Sequence, residues 1–350
     1  MMRATAADKD GVLEAAVLRE GRPEGDLLVS PEEAQALAGM THKQAFGHAM
    51  ARIAAVDPTL SVVVSDYGRR LNLDGVRDLL PSAVVQCGIA EQNQVEVASA
   101  LANEGLTTFA VSYATFVTSR VLDQVRVALG MMGAPVVVVG VSCGCDSGIL
   151  GASHMALEDI GCMRQIPGVT VVSPTDNAEF VAALLELAAH PRPAYVRMSE
   201  PLTGGLHPGG VCAGIGWAEV LLDVEAPRVV LVATGTVAAE ALAAGRELVA
   251  RGVPCRVVSQ STIKPFDLSA FDGAVGADLV VSVEEHSVVG GLGGAVAEEM
   301  SAMGGMPPLL RLGMPDRYLE ADTRDRLLER AGLTAPGIVA AVQGRLAGGR

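Results

Sequence analysis

The sequence predicts an α/β protein of two doubly wound domains, each a mainly parallel sheet covered by helices. Three observations carry this. Half of the 350 residues are apolar and under a fifth are charged, enough to bury more than one core. Short valine-rich runs alternate with segments of helical spacing, and continuous apolar runs of this kind are strands buried on both faces. The alternation stops over residues 201–216, where two prolines and six glycines displace core-forming residues, and then resumes.

The elements follow in order. Residues 1–40 are polar and rich in Glu and Ala, and read as an N-terminal extension. Thr41 then caps an amphipathic helix, KQAFGHAMARIAAV, where the ordered domain is expected to begin. Within the first domain, 41–200, apolar runs predict strands at 60–65, 83–87, 107–111, 135–141, 170–173 and 194–197. Helical spacing predicts helices at 92–103, 118–129 and 177–189. Residues 201–216 read as a linker. The second domain, 217–350, repeats the pattern with strands at 229–233, 253–258, 279–283 and 309–312 and helices at 236–251, 294–302, 323–331 and 337–345.

Composition narrows the function classes. A formal net charge of −14 without any Lys/Arg block repels nucleic-acid phosphates and anionic membranes. The N-terminus lacks a signal-peptide core, and the longest apolar stretch, 134–141, is too short to span a bilayer, so a cytoplasmic protein is expected. Six cysteines scattered through apolar segments read as reduced thiols, and Cys143 and Cys145 have no second ligand pair at zinc spacing. The run from Gly290 to Gly294 follows a strand but shows no G-x-G-x-x-G register, so it reads as a packing turn.

Several residues carry chemistry, each beside an ordinary structural role. Glu91 opens a helix just after a strand, where an acid complements the helix dipole; ligands also collect at such strand ends in α/β sheets. Tyr113 and Phe116 read as core aromatics near a strand end, and Arg120 as a solvated charge. His154 follows Gly151-Ala152-Ser153, Asp66 precedes the turn at Tyr67-Gly68, and Arg197 ends a strand.

Taken together, the segments are more specific than their parts. G-I-A-E-Q-N at 88–93, D-Q-V-R at 123–126, S-H-M-A-L-E-D at 153–159, I-P-G-V-T-V-V-S-P-T-D at 166–176 and P-A-Y-V-R at 193–197 occur in this order. They resemble the pyrimidine-binding domain of transketolases. S-T-I-K-P-F-D at 261–267, V-E-E-H-S-V-V-G-G-L-G at 283–293 and G-M-P-D-R-Y at 313–318 resemble the C-terminal domain of the same family, so the resemblance spans about residues 41–345. It implies thiamine diphosphate as cofactor, with Glu91 hydrogen-bonded to a ring nitrogen of the aminopyrimidine. That bond favours the imino tautomer, whose nitrogen takes the proton from the thiazolium carbon.

The resemblance also implies roles for the neighbours. An aromatic ring stacks on the pyrimidine; the register places Val117 or Phe116 there, with Tyr113 beside it. Asp66 and Arg120 fall near the cofactor pocket, His154 reaches the donor sugar's hydroxyls and reacting carbon, and Arg197 contacts the sugar phosphate. Departures stand beside these matches. Ser142 occupies the place of a phosphate-binding histidine, Arg69 or Arg70 that of a small hydroxyl residue, and Ile149 and Leu150 that of an acidic pair which orients an acceptor hydroxyl. Unpaired sugar hydroxyls on burial cost about 1–3 kcal/mol each, which disfavours an ordinary aldose-phosphate acceptor.

The family's Gly-Asp-Gly motif for Mg2+ and diphosphate does not occur; Gly25-Asp26-Leu27 is the nearest approach. The resemblance therefore implies an N-terminal transketolase-type partner subunit carrying those ligands, in an α2β2 heterotetramer with the cofactor at the interface. The expected reaction moves a two-carbon ketol unit from a ketose phosphate to an acceptor. Two alternatives remain open at this level. One is a deoxyxylulose-phosphate-synthase-like or 2-oxo-acid-dehydrogenase-β-like subunit passing its fragment to a non-sugar acceptor, and the other is a non-catalytic scaffold.

Overall fold

The computed structural model describes residues 27–202, 204–212 and 214–348; expectations resting on residues 1–26, including Gly25 and Asp26, lie outside them. Strands run in chain order as β1 (Leu27–Val29), β2 (Leu60–Val64), β3 (Val84–Gln86), β4 (Thr107–Tyr113), β5 (Val136–Val141), β6 (Thr170–Val172) and β7 (Ala194–Met198). There follow β8 (Val211–Cys212), β9 (Glu219–Leu222), β10 (Val229–Thr234), β11 (Cys255–Ser259), β12 (Thr262–Lys264), β13 (Leu279–Ser287) and β14 (Leu309–Met314). The first sheet has the order β12-β6-β7-β5-β4-β2-β3 and the second β14-β13-β10-β11-β9. Every pairing among β2 to β7 is parallel, as are those of β10 with β11 and β13 and of β13 with β14.

Strand alternation divides the core. Val62 and Val64 enter one apolar layer with Phe46 and Leu184, whereas Val63 enters the opposite layer with Val95 and Leu129. The second layer continues into the other domain through Val230, Val232, Val258 and Val280, so the two domains share a core. β12 sharpens the point: it follows a strand of the second sheet, yet pairs antiparallel with β6 of the first. Apolar burial scales with area removed from water, so this seam holds the domains rigidly against each other.

Three sequence expectations change. The ordered domain does not begin at Thr41: the helix Pro31–Ala38, capped by Ser30, buries Ala34 and Leu37, and β1 precedes it. Residues 201–216 are not a free linker. β8 pairs with β1, and a Cβ at Gly210 (φ +84°) would lie 2.5 Å from the Val29 carbonyl oxygen, so only glycine fits there. The helix expected over 118–129 is broken. The Thr118 hydroxyl donates to the Ala114 carbonyl at 2.6 Å and the Ser119 hydroxyl to that of Thr115 at 3.0 Å, competing with backbone bonds and turning the chain at Arg120.

His207 anchors the crossing segment. Its ring nitrogens each lie 2.8 Å from a carboxylate oxygen, Asp176 on one side and Glu219 on the other. Burial opposes the imidazolium, but the Asp176 and Glu219 hydrogen bonds prevail and push its pKa from 6.5 to about 11. A histidine raised in this way stabilises the fold fully below pH 6.5, and that contribution is lost as pH rises through about 11. His207→Ala should therefore cost about 3–5 kcal/mol at pH 7 by urea denaturation, because the buried Asp176 carboxylate loses its cation. It should also flatten the stability profile between pH 6.5 and 11, and a variant as stable as the parent would refute the anchor.

Candidate active site

The parallel strands of the first sheet deliver their C-terminal ends to one edge. There β2 leads to Asp66, Tyr67 and Arg70, β3 to Glu91, β4 to Tyr113, β5 to Ser142 and Asp146, and β7 to Glu200. The chain reverses direction across the sheet between β2 and β4, and crevices form at such switch points. At this one the Ser65 and Ser112 hydroxyls bond at 2.8 Å, and the Tyr67 and Tyr113 rings stand 4.8 Å apart.

Glu91 begins the helix Glu91–Asn103 and is only 3% exposed. Arg120 Nη1 donates to its Oε2 at 2.8 Å, and Oε1 has no hydrogen-bond partner among the described residues. The helix is held to the sheet by Gln94, whose amide donates to the Val63 and Val111 carbonyls at 2.8 and 3.1 Å. The Arg120 guanidinium lies 3.9 Å from the Phe116 ring centroid, within cation–π range. Phe116 is 5.4 Å from the His154 ring and 5.9 Å from Tyr113, and Tyr113 is 5.3 Å from His154. Glu91, Arg120, Phe116, Tyr113 and His154 thus form one continuous surface. Val117 is fully buried in the core, so Phe116 is the ring that faces this surface.

Beside it opens a cleft of about 460 Å³ whose lining includes Lys43, Tyr67, Arg70, Tyr113, Ser142 and Asp146. Lys43 Nζ and Arg70 Cζ sit 5.4 and 5.6 Å from the Tyr67 ring centroid, and neither has an ion-pair partner among the described residues. The lining also holds Asp146, Glu200 and Asp325, so the cleft is mixed in charge, with Lys43 and Arg70 the cations grouped on the Tyr67 ring. Ser142 is buried with φ +56°, its N–H donating to the Met198 carbonyl at 2.9 Å. Asp66 is exposed and is not among the cleft-lining residues; the Ser65 hydroxyl donates to its Oδ1 at 3.5 Å.

Arg197 is a correction. It is 4% exposed and bonds Asp159 through Nε at 2.7 Å and Nη2 at 3.2 Å, with Nη2 also reaching the Glu285 carbonyl at 3.1 Å. Tyr195 completes the cluster with a 2.6 Å bond to Asp159. A lone charge at a buried strand end recruits an opposite charge, so this arginine holds the domain seam and does not line the cleft. Sequence reasoning missed Lys43, Tyr67 and Asp146 as cleft residues; an acid and a base next to predicted element ends were the only local signals.

Two family models match the chain: the transketolase pyrimidine-binding domain over residues 38–204 and the transketolase C-terminal domain over residues 218–338. The chain belongs to the transketolase family. Among its transketolase relatives is the 6-deoxy-6-sulfo-D-fructose transketolase subunit SqwH of Clostridium sp. (strain MSTE9), 37% identical over 75% of this chain and 81% of that protein. An apulose-4-phosphate transketolase subunit of Phocaeicola vulgatus is 32% identical over 85% of this chain and 94% of its own. A solved structure described as a split gene transketolase, inactive beta4 tetramer, superposes with TM-score 0.75 at 32% identity, covering 88% of this chain and 99% of that one. These transketolase relatives match the chain over most of their length.

The transketolase family implies thiamine diphosphate, and the residues fit an aminopyrimidine. A buried carboxylate with one oxygen unpartnered among the described residues and an adjacent half-buried phenyl ring supply a hydrogen-bond partner and a stacking face for a heteroaromatic ring. Among the described residues no helix is long and apolar enough to cross a membrane.

Proposed function

We propose that this chain is one subunit of a thiamine-diphosphate-dependent transketolase that moves a two-carbon ketol unit from a ketose phosphate to an acceptor. The observation that carries the reading is Glu91, buried and oriented by Arg120, with no hydrogen-bond partner for Oε1 among the described residues. Bound thiamine diphosphate supplies an acidic carbon and an electron sink. Glu91 holds a proton at the pyrimidine nitrogen, Arg120 fixes the carboxylate, and Phe116 with Tyr113 packs the ring. His154, on its own turn against those two rings, reaches donor hydroxyls. Lys43 and Arg70, with the Ser142 hydroxyl, take the charged end of the donor, in keeping with two relatives named for sugars that bear a sulfo or phosphate group.

A partner subunit supplies the diphosphate and Mg2+ ligands, with the two kinds of chain in an α2β2 assembly. The relatives support this, being named as transketolase subunits, and the β-only tetramer is described as inactive. The acceptor side is apolar: Ile149 and Leu150, 70% and 52% exposed, precede His154 where an orienting carboxylate would serve a hydroxylated aldehyde.

Reconstitution tests the reading. The chain mixed with its N-terminal partner, thiamine diphosphate and Mg2+ should release an aldose phosphate from a ketose phosphate, and either subunit alone should show less than about 1% of that rate. Carbon dioxide from pyruvate with no ketose cleavage would replace this reading with the decarboxylating one. Turnover by this chain alone would remove the partner.

A further inference from the structure

His154 rides on a loop that the first domain holds at its neck, at Asp146, which accepts the Glu200 N–H at 2.7 Å, and at the Tyr113 and Phe116 rings beside His154. The loop leaves β5 at Ser142 and closes where Gly144 and Ala156 exchange backbone bonds at 3.0 Å in both directions. Between those points lie two short 3-10 turns, Gly148–Leu150 and Ala152–His154, joined by Gly151 at φ +80°. Its internal bonds are local three-residue turns, such as Gly148 N–H to the Cys145 carbonyl at 2.8 Å, Leu150 N–H to that of Ser147 at 2.9 Å and His154 N–H to that of Gly151 at 3.0 Å, which shape the turns without tying them to a neighbouring element.

The second domain adds a further set of restraints, at Cys145, Asp146 and Gly148. Glu285, at the C-terminal end of β13, accepts the Cys145 N–H at 2.7 Å. Arg324, at the start of the helix Arg324–Ala331, places Nη1 2.7 Å from Asp146 Oδ1 and 2.6 Å from the Glu200 carbonyl. Its Nε lies 3.1 Å from Glu285 Oε1, and Nη2 donates to the Thr236 hydroxyl at 2.6 Å. The Asp322 N–H reaches the Gly148 carbonyl at 3.3 Å, and a Cβ at Gly148 would lie 2.6 Å from the Asp322 carbonyl oxygen. The loop is pressed flat against this wall.

The location is telling. β10 and β13 are neighbours, and β11 lies on the other side of β10, so the chain reverses between Thr236 after β10 and Glu285 on β13. In an open parallel sheet that crevice is where a ligand sits. Here Arg324 fills it, its side chain 10% exposed, bridging Asp146 and Glu285, each 4% exposed. Two buried carboxylates on one guanidinium leave excess negative charge, and burial holds the Asp146 carboxyl up at about 6 against the pull of Arg324. Loss of the arginine would leave two acids unpaired against each other.

We propose that Arg324 is a positioning residue for the reaction: through Asp146 and Glu285 it fixes the 142–156 loop and so aims His154 at the donor. The second domain then contributes to catalysis through the loop it holds, and Arg324 and Asp325 also stand in the lining of the cleft beside Lys43 and Arg70. This rests on the proposed transketolase reading for its kinetic arm only.

The test compares Arg324→Gln, which removes the charge, with Arg324→Lys, which keeps a point charge and loses the fork. In the intact chain, amide exchange read by mass spectrometry should accelerate about tenfold or more over residues 142–156 in Arg324→Gln and stay unchanged in β4 and β5. In the reconstituted enzyme kcat should fall on the order of 10²-fold with the donor KM held within about threefold, as misaimed groups do. Arg324→Lys should recover part of both. Should Arg324→Gln fail to fold, Asp146→Asn, which cuts one arm and spares Glu285, must show the same loop-limited acceleration. Unchanged exchange in the loop, or acceleration spread equally over every strand, overturns the proposal. Loop acceleration in a chain whose parent shows no ketose cleavage would sink the functional reading and leave only the fixing of the loop by Arg324; parent turnover with a silent loop would sink the proposal and leave the functional reading.

Discussion

Glu91→Gln in the reconstituted enzyme lowers kcat by about 10²–10⁴-fold, the range associated with loss of a positioned proton-transfer group. The amide keeps the shape of the side chain but holds no titratable proton for a ring nitrogen. Stability should change by less than about 1 kcal/mol, because the one charge left behind is Arg120, whose side chain is 43% exposed and readily hydrated. Steady-state kcat at saturating cofactor, beside a thermal melt of the same preparation, separates the two effects. Parental kcat in a folded Glu91→Gln enzyme would remove Glu91 from the chemistry and revive the scaffold alternative. Arg120→Ala should have a smaller effect in the same assay, since it orients the carboxylate and does not exchange the proton.

Arg197→Met gives the opposite pattern, a loss of stability of about 3–5 kcal/mol, because the buried Asp159 carboxylate is left without its cation. Burial opposes ionisation of Asp159, yet the Arg197 guanidinium prevails and holds its carboxyl below the usual value of 3.8. The sign follows from that depression. The stabilisation is fully present above pH 3.8 and is lost as pH falls through the folded value, so the variant should lose the parent's acid-side stability dependence. Arg197→Met combined with Asp159→Leu should recover much of the loss, since paired charges replaced together by apolar groups are close to neutral. Chemical denaturation of the four proteins measures the cycle. Undiminished stability with a raised donor KM would instead return Arg197 to the substrate phosphate, where the resemblance had put it.

These two substitutions mark the border between local and distant information. Strands of the first sheet were legible because valine runs bury on both faces whatever they pair with, and observed strands such as β2 and β7 begin where the runs begin. The helix Asn177–Ala189 was legible end to end, since Asp176 caps it locally by accepting the Glu179 N–H at 2.9 Å. Glu91 stood at a strand-to-helix junction, and the motif order around it is a property of the chain alone. The broken helix at Thr118 was not legible, because a hydroxyl's choice between solvent and a backbone carbonyl depends on what surrounds it.

Partner choice lay wholly in the tertiary structure. Arg197 meets an acid 38 residues away and Arg324 one 39 residues away, and β12 leaves the second domain to join the first sheet. Helical and strand periodicity act over a few residues and so are written locally, which is why the chain alone carries two α/β domains and Glu91 at a strand end. Charge pairing and burial depend on distance in space. Only the folded chain could decide that Arg197 binds the domain seam, that Lys43 and Arg70 share one tyrosine, and that Arg324 holds the loop carrying His154.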